Sequence, residues 1–154
     1  MLGTVCLLVA CNSKTEVKST EARTVNKDSI KTVISGMEAR YAKGMETHNI
    51  DDIMFYYADD IKSFDSGDAP VIGAAELRKT MTEMFETMPK GTKVKMETND
   101  IVVSGDGSLV TEDGRYVAMD STDTQFSSGS FLATFELRDG AYKCVREMIA
   151  KDKK

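Results

Sequence analysis

The 154 residues make one ordinary domain and are too few for two. Hydrophobic residues at 41% and charged residues at 29% suit a soluble globular protein whose core forms without metal or disulfide staples. A net charge of −5 lacks the basic face that nucleic acid needs, and a lone histidine with three cysteines in no Cys/His spacing excludes a zinc motif.

Residues 1–10 (MLGTVCLLVA) are an uncharged apolar run that ends in Leu8-Val9-Ala10-Cys11. Branched apolar residues, a small residue and then a cysteine have the shape of a lipobox, in which Cys11 is lipidated and becomes the mature N-terminus. The run falls short of the roughly 20 residues of a membrane span and fits the apolar region of a signal peptide. No Lys or Arg precedes it, so the true start is expected upstream. The alternative is a buried N-terminal strand with Cys11 as a core thiol. Residues 11–27 are polar and without apolar periodicity, which suits a flexible tether. Asn12 after the cysteine is similar to lipoproteins sorted to the outer membrane, here facing the periplasm. Cleavage removes Cys6 and acylation consumes Cys11, so Cys144 is left as a free thiol.

The folded part is expected over residues 28–154. Asp28 or Ser29 caps a first helix whose Ile30, Val33, Ile34, Met37, Tyr41, Met45 and His48 form one apolar stripe over about five turns. Asn49 or Asp51 opens a shorter helix carrying Ile50, Ile53, Met54 and Tyr57. A strand over Ile61 to Phe64 follows, then the turn cluster Asp65-Ser66-Gly67-Asp68 and a brief extended Val71-Ile72. The third helix spans Ala74 to Met88, with Leu77, Met81, Met84, Phe85 and Met88 on one face and Pro89 and Gly91 ending it.

Strands make up the remainder. Lys93 to Val103 closes at Ser104-Gly105-Asp106-Gly107, and Leu109 to Asp120 follows with Gly114 as a bulge. Ser130 to Leu137 carries Phe131, Ala133, Phe135 and Leu137 on one face. Arg138-Asp139-Gly140 turns the chain into a last strand, Tyr142 to Ala150. The order α-α-β-β-α-β-β-β-β indicates an α+β fold, helices packed on one face of a curved antiparallel sheet. A sheet wrapped around a long N-terminal helix encloses a cone, and the open end of the cone is a pocket.

This order and several strings resemble the nuclear transport factor 2-like superfamily, in its SnoaL-like and ketosteroid-isomerase-like branches. The strings are Tyr57-Ala58-Asp59-Asp60, Val71-Ile72-Gly73-Ala74-Ala75-Glu76-Leu77, Gly114-Arg115-Tyr116, and Asp139 through Met148 (DGAYKCVREM). The resemblance covers Asp28 to Asp152 and implies a cone-shaped α+β barrel, without specifying function. Ketosteroid isomerase uses a carboxylate base beside an oxyanion hole made by a Tyr and a protonated Asp. Laid on that enzyme, Tyr41 falls on the oxyanion-hole tyrosine and Asp65 on the base. The second acid falls near Ala133, which cannot donate. Loss of one such donor costs about 100- to 1000-fold in rate, so steroid isomerisation by that route is not expected.

Each candidate has a structural reading beside the functional one. Tyr41 is an oxyanion donor or a core aromatic; Asp65 is a base or a turn former. His48 is a surface or capping residue, and Asp59-Asp60 serves a turn rather than a metal. Val145, Glu147 and Ile149 alternate opposite Cys144, Arg146 and Met148. If the first set faces inward, Glu147 is a pocket carboxylate that needs a partner such as Arg115; otherwise it is solvated. The candidate ligand contacts are Met37, Tyr57, Phe64, Met81, Phe85, Arg115, Phe131 and Glu147. Three functions follow: a lipid-anchored, cell-envelope domain binding a small, mostly apolar molecule without cofactor or metal; a cofactor-independent isomerase or lyase; or an interaction module that homodimerises through its outer sheet face.

Overall fold

The computed structural model describes residues 25–89 and 91–153. The apolar run, Cys6, Cys11 and the expected tether as far as residue 24 lie outside the described residues. Nine elements follow in the expected order: α1 (Lys27–Thr47), α2 (Ile50–Met54), β1 (Tyr57–Asp65), β2 (Val71–Ile72), α3 (Ala74–Thr87), β3 (Lys93–Val103), β4 (Leu109–Met119), β5 (Gln125–Arg138) and β6 (Ala141–Lys151).

α1 starts ahead of the expected caps. Asn26 is the N-cap, its side-chain oxygen accepting from the Ser29 amide at 3.0 Å, while Asp28 sits in the first turn where a carboxylate opposes the helix dipole. Val25 already packs on the core, so the last residues assigned to the tether belong to the domain. α1 buries Ile34, Met37, Glu38, Tyr41, Gly44 and Met45. Val33 is 49% exposed, because each helical step turns the side chain by about 100° and Ile34 holds the inward direction. Glu38, four residues after Ile34 and three before Tyr41, occupies the inward stripe instead. His48 ends α1 in the left-handed conformation, and Asn49 caps α2 through its side chain.

The six strands lie in the order β2-β1-β6-β5-β4-β3. All pairs are antiparallel except β1 with β6, which run parallel. Irregularities in register bend the sheet: Asn99 is extra in β3, Phe126 in β5 and Val145 in β6, and β1 bulges between Tyr57 and Lys62. The expected bulge at Gly114 therefore sits across from it, on β3. Gly114 itself is a close-approach site, where a Cβ would stand 2.4 Å from the Glu97 carbonyl and 2.6 Å from the Phe131 ring. Asp139 and Gly140, both with positive φ, make the tight turn between β5 and β6.

α1 crosses the concave face, and α3 covers β1. The end of the barrel near the β3–β4 turn is filled by Ile34, Ile101, Val103, Val110, Phe135 and Tyr142. At the opposite end the same sheet stays open. Among the described residues, no helix is long and apolar enough to cross a membrane.

Candidate functional site

The open end holds a cavity of about 590 Å³, within the range of small-molecule sites. Its walls come from the elements that meet there: the C-terminal part of α1, the end of β1, α3, the start of β3, the end of β4, the start of β5 and the end of β6. Met81 and Met84 on α3 and Met88 at its C-cap share the cavity with Met45 of α1 and Met96 of β3. Five thioethers thus give an apolar wall that adapts to shape.

The floor is aromatic and acidic. The rings of Tyr41, Tyr56 and Tyr57 pack at centroid distances of 5.2, 6.1 and 4.9 Å. Glu147 is only 7% exposed and lines the cavity. Its Oε2 accepts from the Tyr57 hydroxyl at 2.8 Å and its Oε1 from the Ser63 hydroxyl at 2.9 Å. Burial raises the Glu147 carboxyl above the usual range, and the two hydroxyls oppose that rise. The Tyr41 hydroxyl lies beside that of Tyr57, and burial raises it likewise. At the rim, the Lys151 ammonium pairs with Asp65 Oδ2 at 2.8 Å.

A second acidic cluster lies beneath the floor. Glu38 accepts from the Tyr56 hydroxyl and meets Glu112, which accepts from the Thr98 hydroxyl at 2.6 Å. One oxygen of Glu38 and one of Glu112 are buried without a donor. A proton held by Glu38 and shared with Glu112 satisfies both. Burial and the neighbouring Glu112 raise Glu38, and burial raises Glu112.

The structure brings Tyr41, Asp65, Met81, Phe131 and Glu147 to one cavity. Asp65 serves in two ways, its backbone carbonyl accepting from the Asp68 amide in the turn while its carboxylate faces the rim. Tyr57 reaches the cavity through Glu147 and does not line it. The other expected contacts are corrected. Met37 lies in the packed core, one turn of α1 short of the open end. Phe64 points outward, since its neighbours Ser63 and Asp65 take the inward direction of β1. Phe85 stacks on His48 at 4.5 Å between centroids, joining α3 to the end of α1. Arg115 sits on the outer face of β4 and pairs with Asp152 at 2.6 Å, so it is no partner of Glu147. Asp60, expected in a turn, lies within β1 and pairs with Arg138.

Sequence reading also missed residues. Ser63 carries no signal apart from its place between inward Ile61 and Asp65. Glu112 was legible, because Val110, Glu112, Gly114, Tyr116 and Ala118 alternate on one face of β4. The Val145 bulge shifts the alternation of β6, so Cys144 is fully buried on the inner side rather than opposite Glu147. Among the described residues, no three His, Cys, Asp or Glu side chains gather as metal ligands.

The family model described as a SnoaL-like domain matches residues 39–146. No curated protein matches the chain. A domain of unknown function with a cystatin-like fold from Nostoc punctiforme superposes with a TM-score of 0.73 at 11% identity, covering 85% of this chain and 81% of that one. A nuclear transport factor 2-like protein of unknown function from Pseudomonas putida gives 0.68 at 19% identity, covering 82% and 89%. A ketosteroid isomerase-like protein from Erwinia carotovora atroseptica gives 0.65 at 16% identity, covering 80% and 96%. At these identities the likeness is one of fold.

Proposed function

The chain belongs to the SnoaL-like domain family, and from that premise we propose that it binds a small, mostly apolar molecule in its cavity. One observation carries the reading: a space of about 590 Å³ is left at the end of the barrel that the core does not fill, walled by methionines and floored by tyrosines and Glu147. Well-packed interiors leave few voids larger than a water molecule, so an unfilled space of this size is a place for a guest. N-phenylnaphthylamine, a neutral apolar fluorophore, is expected to brighten on binding with a stoichiometry near one. Ala118 lines the cavity, and Ala118→Phe fills it, so binding should weaken at least tenfold while the fold persists. Equal binding by both proteins refutes the reading. The domain would act at the cell envelope, tethered through a lipid on Cys11, with the full chain recovered in the membrane fraction.

The convergence of Asp65 and Tyr41 on that cavity favours a second reading, a cofactor-independent isomerase or lyase. Asp65 would take a proton α to a carbonyl, and the Tyr41 hydroxyl would hydrogen-bond the enolate oxygen. The Lys151 ammonium holds Asp65 through Oδ2 at 2.8 Å, while Oδ1 is buried without a hydrogen-bond donor. Deuterium exchange at the α-carbon of a bound ketone tests it. Asp65→Asn and Tyr41→Phe should each slow exchange by about 100-fold or more; exchange unchanged in both ends it.

A further inference from the structure

We propose that the guest is a lipophilic organic cation, an apolar body bearing a protonated amine, with Glu147 as its counter-ion. The inference rests on the reading of the cavity as a ligand site and narrows the ligand class. Both oxygens of Glu147 accept from fixed hydroxyls, which orients the group as an ionised carboxylate would be oriented. Among the described residues no cation stands within ion-pair distance of it. Of its two register partners, Ser63 supplies one of those hydroxyls and Ala133 offers nothing polar. A buried carboxylate without a cation is costly, and one that faces an open cavity can receive its cation from a guest.

The balance of charge around the space points the same way. Asp65, Asp68 and Glu147 line it, against the single described ammonium of Lys151, which Asp65 already holds. A carboxylate or phosphate guest would meet surplus negative charge and no free donor cation. Tyr41, Tyr116 and Phe131 present rings to the cavity, and an aromatic face attracts a cation through its quadrupole. Thioether sulfurs are polarisable and suit the alkyl or aryl body of such a guest.

Ionisation of Glu147 sets a pH dependence. Burial raises its carboxyl, so it ionises above the usual carboxylate range, and below that ionisation an ammonium guest must displace a proton. The titratable groups around it are Tyr41 and Glu38 on α1, Tyr56 ahead of β1, Tyr57 and Asp65 on β1 with Asp68 just after it, Tyr116 on β4, and Cys144 and Lys151 on β6. α3 contributes to the lining only Leu77, Thr80, Met81, Met84 and Thr87, none of which titrates.

Three probes with one apolar body separate the possibilities: naphthylmethylamine, naphthylmethanol and naphthoate, measured by calorimetry on the full chain. The amine should bind about tenfold tighter than the alcohol, and naphthoate weakest. Amine affinity should rise with pH above the usual carboxylate range, with release of protons, while alcohol affinity stays flat. Glu147→Gln should abolish both the preference and the proton release; should that variant fail to fold, proton release by the unaltered protein decides alone. Equal binding of amine and alcohol overturns the cation assignment and leaves the cavity reading intact. Tightest binding of naphthoate, or an amine preference that persists in Glu147→Gln, also overturns it. No binding of any probe overturns both.

Discussion

Glu38 shows how a residue that looks solvated in sequence becomes part of the interior. Its position on the inward stripe of α1 obliges burial, and the Tyr56 hydroxyl and Glu112 supply its partners. Glu38, Glu112 and Glu147 are all raised, chiefly by burial. The folded state therefore binds more protons than the unfolded chain above the usual carboxylate range. Stability is then largest below that range and falls as pH rises through the folded values. The melting temperature should drop from about pH 5 to about pH 9. Glu38→Gln keeps an acceptor for Tyr56 and supplies an amide donor to Glu112, so its melting curve should depend less on pH and lie above that of the unaltered protein at the alkaline end. An identical pH profile for the two proteins would show that the pair holds no extra proton.

Among the elements, β4 is held between two close contacts. Gly114 pairs with Thr98 on one side and Phe131 on the other, and the Phe131 ring passes over the space a side chain would need. That passage lets Phe131 reach the cavity wall. Gly114→Ala should cost about 1–3 kcal/mol or more, because a backbone carbonyl cannot step aside as a flexible side chain can. Gly36, in the middle of α1 with nothing near its missing Cβ, makes the opposite case. Gly36→Ala should stabilise by about 0.5–1 kcal/mol through helix propensity. Urea denaturation of the two variants checks both signs; similar shifts for the two would mean that the Gly114 contact is not tight. The bulges at Asn99, Phe126 and Val145 act at this scale too, since each bends the strand that carries it and together they curve the sheet around α1.

For the whole molecule, the outer face of the sheet carries an apolar row. Phe64, Met148 and Leu132 stand side by side across β1, β6 and β5, aligned in register and exposed by 36, 53 and 43%. A contiguous exposed row of this kind favours an interface between two copies of the chain. Sedimentation should find a dimer whose dissociation constant rises at least tenfold in Met148→Lys; a monomeric unaltered protein ends that reading.

The sequence by itself determined the elements and their order, because helical periodicity, caps and turns are written within a few residues of one another. It began β1 late, at Ile61 instead of Tyr57, which it read on the second helix, and β5 late, at Ser130 instead of Gln125. Asn49 before α2, Pro89 after α3 and Asp139-Gly140 between β5 and β6 are cases where local chemistry left little choice. Spacing placed Tyr41 on the inward stripe of α1 and Glu147 on one face of β6, whereas Asp65 came among the candidates through the resemblance to ketosteroid isomerase. Only the tertiary structure decided what those residues meet. Tyr57 and Ser63 reach Glu147 across 90 and 84 residues of chain, through a parallel pairing of β1 with β6 that no local pattern announces. The Val145 bulge shifted the face of β6, and Arg115 went outward because β4 turned Glu112 and Gly114 inward. Strand neighbours and bulges depend on contacts between distant segments, whereas periodicity depends on near ones, so the scaffold was legible and the partners of its acids were not.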